Sequence, residues 1–220
     1  MGRMRPSSYG AHGERRLDAV LAGLRRRRLD GHVRPGSILV DLGCGHSGSL
    51  LKGYAATIER GFGFDVGVGE SPAPNVELHA QRADEPLPLN DQSVDVVSCL
   101  AVIEHVEHPD VLAAEAHRVL KPGGVLVVTT PSAQAKPILE LLSTRLRLID
   151  PTEILDHKRY YRPATLRAEL TSAGFAEVDV TRFEFGLNLA AVARRRGPSA
   201  PAVSAGPETA PARPGSRRAR

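Results

Sequence analysis

Short, continuously apolar runs alternate along the middle of the chain with segments whose apolar residues recur at helical spacing. The apolar runs predict buried strands, and the segments between them predict helices. Such an alternation is typical of a mainly parallel sheet with helices on both faces. The predicted strands are Ser37–Leu42, Gly63–Val66, Val76–Ala80, Val94–Leu100, Val125–Thr130, Ala176–Phe185 and Leu187–Ala193. Because only Gly186 joins the last two strands, they must be antiparallel. The pattern predicts an α/β fold.

The helical segments follow most of the predicted strands. They run from the glycine-rich turn after Leu42 to about Arg60, over Pro109–Leu120, over about Ala133–Leu148, and over Pro163–Ala173 with Gly174 ending the last. No helical pattern fills Gly67–Asn75, which is rich in Gly and Pro. Since a parallel crossover normally takes about a dozen residues or more, we expect one covering helix to be missing between the second and third strands.

An amphipathic helix precedes the first strand. Its apolar residues are Leu17, Val20, Leu21 and Leu24, and its C-terminal end carries Arg25–Arg28. This arginine run has two interpretations: an anion or RNA patch, or a solvated helix end whose cations suit the helix dipole. We favour the second, because the charge of the domain around it is balanced.

The positive charge of the chain lies in its C-terminal segment. The residues from Arg196 onward contain five arginines and one acid, and subtracting these from 29 basic and 25 acidic residues leaves 24 of each. A neutral folded part argues against a nucleic-acid partner. The segment is rich in Pro, Ser and Ala and lacks aromatic residues, so we expect disorder there. We expect an N-terminal arm and helix over 1–35, the main folded domain over 36–196 and a tail over 197–220.

The two cysteines, Cys44 and Cys99, lie in apolar, strand-like surroundings. Their spacing indicates neither a disulfide framework nor a metal site, and reduced thiols are typical of cytoplasmic proteins. No apolar run is long enough to span a bilayer, and the basic N-terminus lacks the apolar core of a secretory signal. We therefore predict a cytoplasmic protein without a membrane span.

A glycine-rich turn follows the first predicted strand. Gly43, Gly45 and Gly48 form G-x-G-x-x-G, and glycines allow a ligand to approach the backbone closely. Asp65 follows 22 residues after Gly43, where a carboxylate can accept both hydroxyls of an adenosine ribose. Both NAD and S-adenosylmethionine (SAM) fit these features.

Asp41 distinguishes between the two possible cofactors. A carboxylate just before the turn would repel the pyrophosphate of a dinucleotide, whereas SAM has no phosphate and carries an ammonium and a sulfonium. Asp41 therefore favours SAM, although capping of the turn is an alternative role for it.

The chain also resembles the large class I SAM-dependent methyltransferase family often called type 11. The resemblance covers roughly residues 36–195 and rests on motifs in the family's order and spacing. These motifs are VDLGCGHSG (40–48), GFDVG (63–67), RADEPLPLNDQSVDVVSCLAVIEHVEHP (82–109), HRVLKPGGVLVVTTPS (117–132) and DHKRYYRPATLRAELTSAGF (156–175). It implies a Rossmann-like, seven-stranded sheet, with SAM above the carboxyl ends of the first strands.

The resemblance assigns roles to individual residues. It places Asp41, Gly43, Cys44 and Gly45 at the methionine end of SAM, Asp65 at the ribose, Ala83 and Asp84 at the adenine, and Leu100 and Ala101 beside the sulfonium. Two departures affect this pocket. The family's third glycine usually stands where this chain has Ser47, and the missing helix after Asp65 would leave the adenine side more open.

The acceptor side is defined less sharply. His105, His157 and Tyr160 are candidate catalytic residues, with Tyr161 beside them. A framework role is the alternative for His105. For the two tyrosines, the alternative is packing of their loop onto the sheet. Glu104 and His105 resemble part of the E-x-x-E-H arrangement of metal-dependent relatives, but Ala101 replaces the first glutamate. We therefore predict no metal.

Methyl transfer to a small molecule is the function that these features favour. The sequence does not distinguish O, N and C as the accepting atom. A dinucleotide-dependent oxidoreductase is the main alternative, but the chain lacks a Tyr-x-x-x-Lys pair and a recognisable second domain. A non-catalytic SAM- or RNA-binding protein is the other.

Overall fold

A computed structural model describes residues 16–135 and 158–197, which form one open sheet with helices packed on it. The helices are α1 (Arg16–Asp30), α2 (Ser49–Tyr54), α3 (Pro109–Val119) and α4 (Pro163–Ser172). The strands are β1 (Ile38–Leu42), β2 (Arg60–Asp65), β3 (Val76–Ala80), β4 (Val94–Leu100), β5 (Leu120–Pro131), β6 (Glu177–Phe183) and β7 (Asn188–Arg194).

The sheet has seven strands in the order β3-β2-β1-β4-β5-β7-β6. The first five positions pair in parallel, and β7 runs antiparallel to both β5 and β6. The mostly parallel, Rossmann-like fold and its antiparallel C-terminal hairpin are thus confirmed. The chain order reverses between β1 and β4, which is where open α/β sheets bind ligands.

Apolar side chains cover both faces of the sheet, as the continuous apolar runs predicted. On one face, strand residues such as Phe64 and Val97 pack with Leu112 of α3 and Leu166 of α4. On the other face, Val96 and its strand neighbours pack with Leu29 of α1 and Leu51 of α2. Alternate residues of one strand therefore enter different cores, because strand side chains point to opposite faces in turn.

The helix predicted to reach about Arg60 is wrong in length, since α2 ends at Tyr54. The chain must enter β2 at Arg60, which pairs with Ile38, so it has to turn before that point. The side-chain amide of Asn75 donates hydrogen bonds of 3.0 Å to the carbonyls of both Ala55 and Ile58. This distant side chain satisfies carbonyls left free at the helix end.

The connection from β2 to β3 contains no helix, as expected. Residues 66–75 form bends and turns instead. Pro72 and Leu78 lie against Gly48, where an added Cβ would come within 2.9 Å of Leu78 Cδ2. Pro72 of the loop therefore lies against the turn before α2, and Ala73 packs against the apolar core on that face of the sheet.

The arginine run at the end of α1 is partly used in packing, which neither sequence interpretation predicted. The guanidinium of Arg26 lies 4.7 Å from the ring centre of Tyr54 and donates to the carbonyl of Gly53. That of Arg28 lies 4.6 Å from the ring centre of Phe183. These cation–π contacts help to hold α1 on the sheet.

Within the described ranges, no helix is long and apolar enough to cross a membrane. The predicted helix over Ala133–Leu148 falls almost entirely outside the described residues, as does the predicted disordered tail after Gly197.

Replacing Phe64 with Ala should destabilise the fold by about 3–5 kcal/mol, because a fully buried ring is lost and a cavity is left. Phe64 is 0% exposed, and its ring stacks on His79 at 5.0 Å between ring centres. Phe185→Ala is the matched control: Phe185 is fully exposed, so its loss should change stability by no more than about 0.5 kcal/mol. Urea unfolding of both variants measures the difference, and equal effects would contradict this description of the core.

Candidate functional site

The predicted cofactor residues meet at the carboxyl ends of β1, β2 and β4. Asp41 lies near the end of β1, Asp65 ends β2 and Leu100 ends β4. Parallel pairing brings these ends to one edge, since β1 lies between β2 and β4. Open α/β sheets have their ligand crevice at this edge, and in this chain the edge is formed by residues that are far apart in sequence.

Two positions of the turn after β1 require glycine for different structural reasons. Gly43 has a φ of 78°, and a Cβ there would lie 2.1 Å from Val102 Cγ2, so close packing excludes any side chain. Gly45 has a φ of 67°, and a Cβ there would meet nothing within 4 Å. The space beside Gly45 is open, as a turn that receives a ligand requires.

The third glycine occupies a different place from the one that the family pattern gives. Gly48, not Ser47, adopts the left-handed conformation, with a φ of 55°, directly before α2. Four consecutive turn residues, 45–48, separate the end of β1 from the helix.

Two carboxylates lie at this turn. Asp41 is 4% exposed and accepts a 2.7 Å hydrogen bond from the Ser98 hydroxyl. Burial and, to a smaller extent, the Asp65 charge raise the pKa of Asp41 to about 7, although the Ser98 hydrogen bond acts to lower it. Asp65 accepts the Gly45 amide at 3.0 Å. In the part of the chain that the structure describes, neither acid forms an ion pair, so the crevice is electronegative.

The buried carboxylate of Asp84 accepts hydrogen bonds from neighbouring loops. Arg82 donates to both of its oxygens, at 2.9 and 3.0 Å, and the amides of Glu107 and His108 donate to Oδ2. Although burial acts to raise the pKa of Asp84, these hydrogen bonds lower it to about 2. Asp84 therefore joins the loop before β4 to the loop after it. Sequence reasoning missed this role, although Arg82 stands only two residues away.

Ala101 follows Leu100 with a φ of 57°, an unusual conformation for a residue with a side chain. Its amide donates to the Thr129 carbonyl of β5 at 2.8 Å, which holds the turn at the end of the paired strands. Strained backbone of this kind is concentrated at functional sites. Leu100 and Ala101 are both half-buried beside the crevice, where the resemblance placed the sulfonium.

The acceptor-side candidates are held near the ends of β4 and β5. The half-buried His105 lies in the loop after β4, and its amide donates to the Val102 carbonyl at 2.9 Å. Tyr160 directly precedes Tyr161, which bridges to Ser132 just beyond β5. Tyr161 is 4% exposed and belongs to the core, so packing explains this second tyrosine. His157 lies outside the described residues.

Glu104 is a buried acid whose burial the sequence did not reveal. It is 1% exposed, and neither carboxyl oxygen has a hydrogen-bond partner. Burial raises the pKa of Glu104. Among the described residues, no three His, Cys, Asp or Glu side chains are grouped so that they could hold a metal ion. Glu104 is therefore a buried acid without a hydrogen-bond partner, and only its position shortly after β4 could have suggested a role.

The chain matches proteins with a known activity over most of its length. The family model for a methyltransferase domain matches residues 12–180. A ubiquinone biosynthesis O-methyltransferase of Photobacterium profundum is 26% identical over 163 residues, which are 68% of each chain. The enzyme of the same name from Pseudomonas syringae pv. tomato is 29% identical over 161 residues, 66% of this chain and 67% of the other.

The solved structures support the same fold. A SAM-dependent methyltransferase from Archaeoglobus fulgidus superposes with a TM-score of 0.62 at 19% identity, covering 80% of this chain and 94% of that one. The class I assignment and the SAM cofactor are confirmed, and the oxidoreductase alternative is not supported. With the family model, the related sequences and the fold in agreement, the chain belongs to the methyltransferase-domain family and is a SAM-dependent methyltransferase.

Proposed function

We propose that this enzyme transfers the methyl group of SAM to a hydroxyl oxygen of a small molecule. The assignment of SAM as the methyl donor rests on two carboxylates, Asp41 and Asp65, at an open glycine turn. Among the described residues, no cation pairs with either of them. At the low effective dielectric of a crevice, such a pair attracts the cationic SAM and repels a pyrophosphate. The names of the related O-methyltransferases support oxygen as the acceptor.

The cofactor would lie across the three strand ends. Asp41 would attract the α-ammonium of the methionine part, and Gly43, Cys44 and Gly45 would line it. Asp65, half-buried at the end of β2, would accept the ribose hydroxyls. Leu100 and Ala101 would border the sulfonium.

The adenine would lie beside Ala83 and Asp84. Because the Asp84 carboxylate already accepts four hydrogen bonds and its side chain is only 2% exposed, we assign it chiefly to fixing the loop. Ala83 is 7% exposed, so contact with the adenine would come mainly from its backbone.

SAM supplies an activated methyl group when bound. The chain's own part is to exclude water and to hold the acceptor oxygen in line with the methyl carbon, and positioning of this kind can supply much of the rate. His105, Tyr160 and His157 are the proposed groups on the acceptor side, with His105 and Tyr160 in segments that the ends of β4 and β5 hold.

A reducing compartment fits the two cysteines. Cys44 and Cys99 are free and buried, and burial raises the pKa of each thiol well above its ordinary value. Such thiols are unreactive and are typical of structural positions in cytoplasmic proteins. A cytoplasmic location is our proposal on this basis.

Calorimetric titration should show binding of S-adenosylhomocysteine, the product of SAM, and no binding of NAD. Asp65→Ala should weaken the binding of S-adenosylhomocysteine at least tenfold, because hydrogen bonds from the ribose to a charged carboxylate are each worth about 1.5–3 kcal/mol. Glu59→Ala is the matched control, since Glu59 is an exposed acid just before the opposite end of β2. Binding of NAD alone would reverse the cofactor assignment.

Affinity for S-adenosylhomocysteine should rise with pH. Because the pKa of Asp41 is raised to about 7, its ionised fraction increases about tenfold between pH 6 and pH 8, and only the ionised form attracts the ammonium. Ser98→Ala should move this rise to higher pH, since the Ser98 hydrogen bond lowers the pKa. Asp41→Asn should bind weakly with little pH dependence, and a flat profile for the natural chain would exclude this role of Asp41.

Oxygen methylation can be tested with labelled SAM and four small probes: phenol, catechol, benzoate and aniline. We expect label in the first two, as methyl ethers identified by mass spectrometry. Transfer to aniline alone would assign the enzyme to nitrogen methylation.

A further inference from the structure

Polar atoms without partners are concentrated at one place beside the proposed acceptor position. In the described ranges, nine side-chain atoms are buried without a hydrogen-bond partner. Five of them belong to four residues: Arg25 Nε, both carboxyl oxygens of Glu104, the Thr130 hydroxyl and Glu184 Oε1. Native proteins leave few such atoms unpaired, so a cluster needs an explanation such as a missing ligand.

Tertiary structure brings these four residues to the carboxyl edge of the sheet. Glu104 follows β4, and Thr130 lies near the end of β5. Glu184 is in the turn between β6 and β7, which the pairing of Pro131 with Asn188 places at the same edge. The Ser132 hydroxyl donates to the Gly186 carbonyl at 2.8 Å and fixes this turn.

Arg25 of α1 connects the two acids electrostatically. Burial raises the pKa of Glu104, and the charges of His105 and then Arg25 lower it. Burial also raises the pKa of Glu184, and the charges of Arg25 and Arg28 lower it. Asn188 hydrogen-bonds Glu184 Oε2, which leaves Oε1 alone. Thr130 is close enough to lower the pKa of Glu104 as well, but its hydroxyl and the carboxyl oxygens lack the geometry of a hydrogen bond.

We propose that Glu104 contacts the acceptor hydroxyl and receives its proton during methyl transfer. This inference rests on the proposed hydroxyl methylation. The acceptor oxygen forms a bond to the methyl carbon, the bond from carbon to sulfur breaks, and its electron pair neutralises the sulfonium. The hydroxyl proton passes to the ionised carboxylate of Glu104. The products are the methyl ether, S-adenosylhomocysteine and a protonated Glu104, which afterwards releases the proton to water.

The position of Glu104 suits this task. A general base needs a pKa above that of an ordinary carboxyl group to take a proton near neutral pH, and burial raises the pKa of Glu104, while the charges of His105 and then Arg25 oppose that rise. Exclusion of water around the acid strengthens its interaction with the acceptor. Glu104 thus fits the proton-accepting role better than the neighbouring, half-buried His105.

The test uses Glu104→Gln, which keeps the size of the side chain and removes its ability to take a proton. The single-turnover rate of methyl transfer to catechol should fall at least a hundredfold, in line with the usual contribution of a general base. The dissociation constant of S-adenosylhomocysteine should change less than twofold, and urea unfolding should show no loss of stability, because the replaced carboxyl is unpaired. Glu177→Gln, an exposed acid at the start of β6, is the control.

Arg25→Gln provides a second readout that a structural role of Glu104 would not affect. Removal of the Arg25 charge should raise the pKa of Glu104 and shift the acid limb of the pH–rate profile to higher pH, with the rate largely recovered in alkaline buffer. Parallel losses of rate and stability in Glu104→Gln, or an unshifted profile in Arg25→Gln, would overturn the proposal. So would binding of S-adenosylhomocysteine with transfer to aniline only. Failure to bind S-adenosylhomocysteine would instead overturn the proposed function.

Discussion

A carboxylate buried without a cation is unfavourable, and the cofactor edge of this enzyme is built around one. Asp41 can be buried at the end of β1 because Ser98 of the neighbouring β4 donates a hydrogen bond to it, and Asp65 of the other neighbour adds a second negative charge. In the described structure nothing neutralises this pair. In the proposed function, a cationic donor supplies the missing charge and would offset the cost of burying an ionised Asp41.

The neighbouring loops are fixed by the opposite arrangement, a fully paired acid. Asp84 binds Arg82 and the amides of Glu107 and His108, and Glu107 in turn pairs with Lys158 at 3.0 Å. The amide of Lys158 also donates to the carbonyl of Glu104. The loop beside the predicted adenine position and the segment that leads to α4 are thereby attached to the same turn after β4. The proposed donor and acceptor sides are thus attached to the same turn, which would help to position two reactants.

Part of the candidate site could be predicted because its chemistry lies in local sequence. The glycines of the turn, Asp41 before it and Asp65 at the next strand end have fixed places along the chain, and strand pairing then brings them together. Asp84 shows the limit of this approach. Its position suggested an exposed acid or an adenine contact, whereas its partners include backbone amides more than 20 residues away. No local pattern encodes such a partner.

The sequence alone determined the strands, the antiparallel C-terminal hairpin, the missing helix after β2 and the cationic cofactor, because apolar periodicity, turn residues and the sign of a charge are local properties. Only the tertiary structure decided where α2 ends, since the side-chain amide of Asn75, 20 residues away, donates a hydrogen bond to the Ala55 carbonyl at the helix end. It alone also decided that Arg26 and Arg28 pack on aromatic rings and that Glu104 is buried beside Arg25. Burial and pairing of a charge depend on which distant segments surround it, and the fold sets those neighbours.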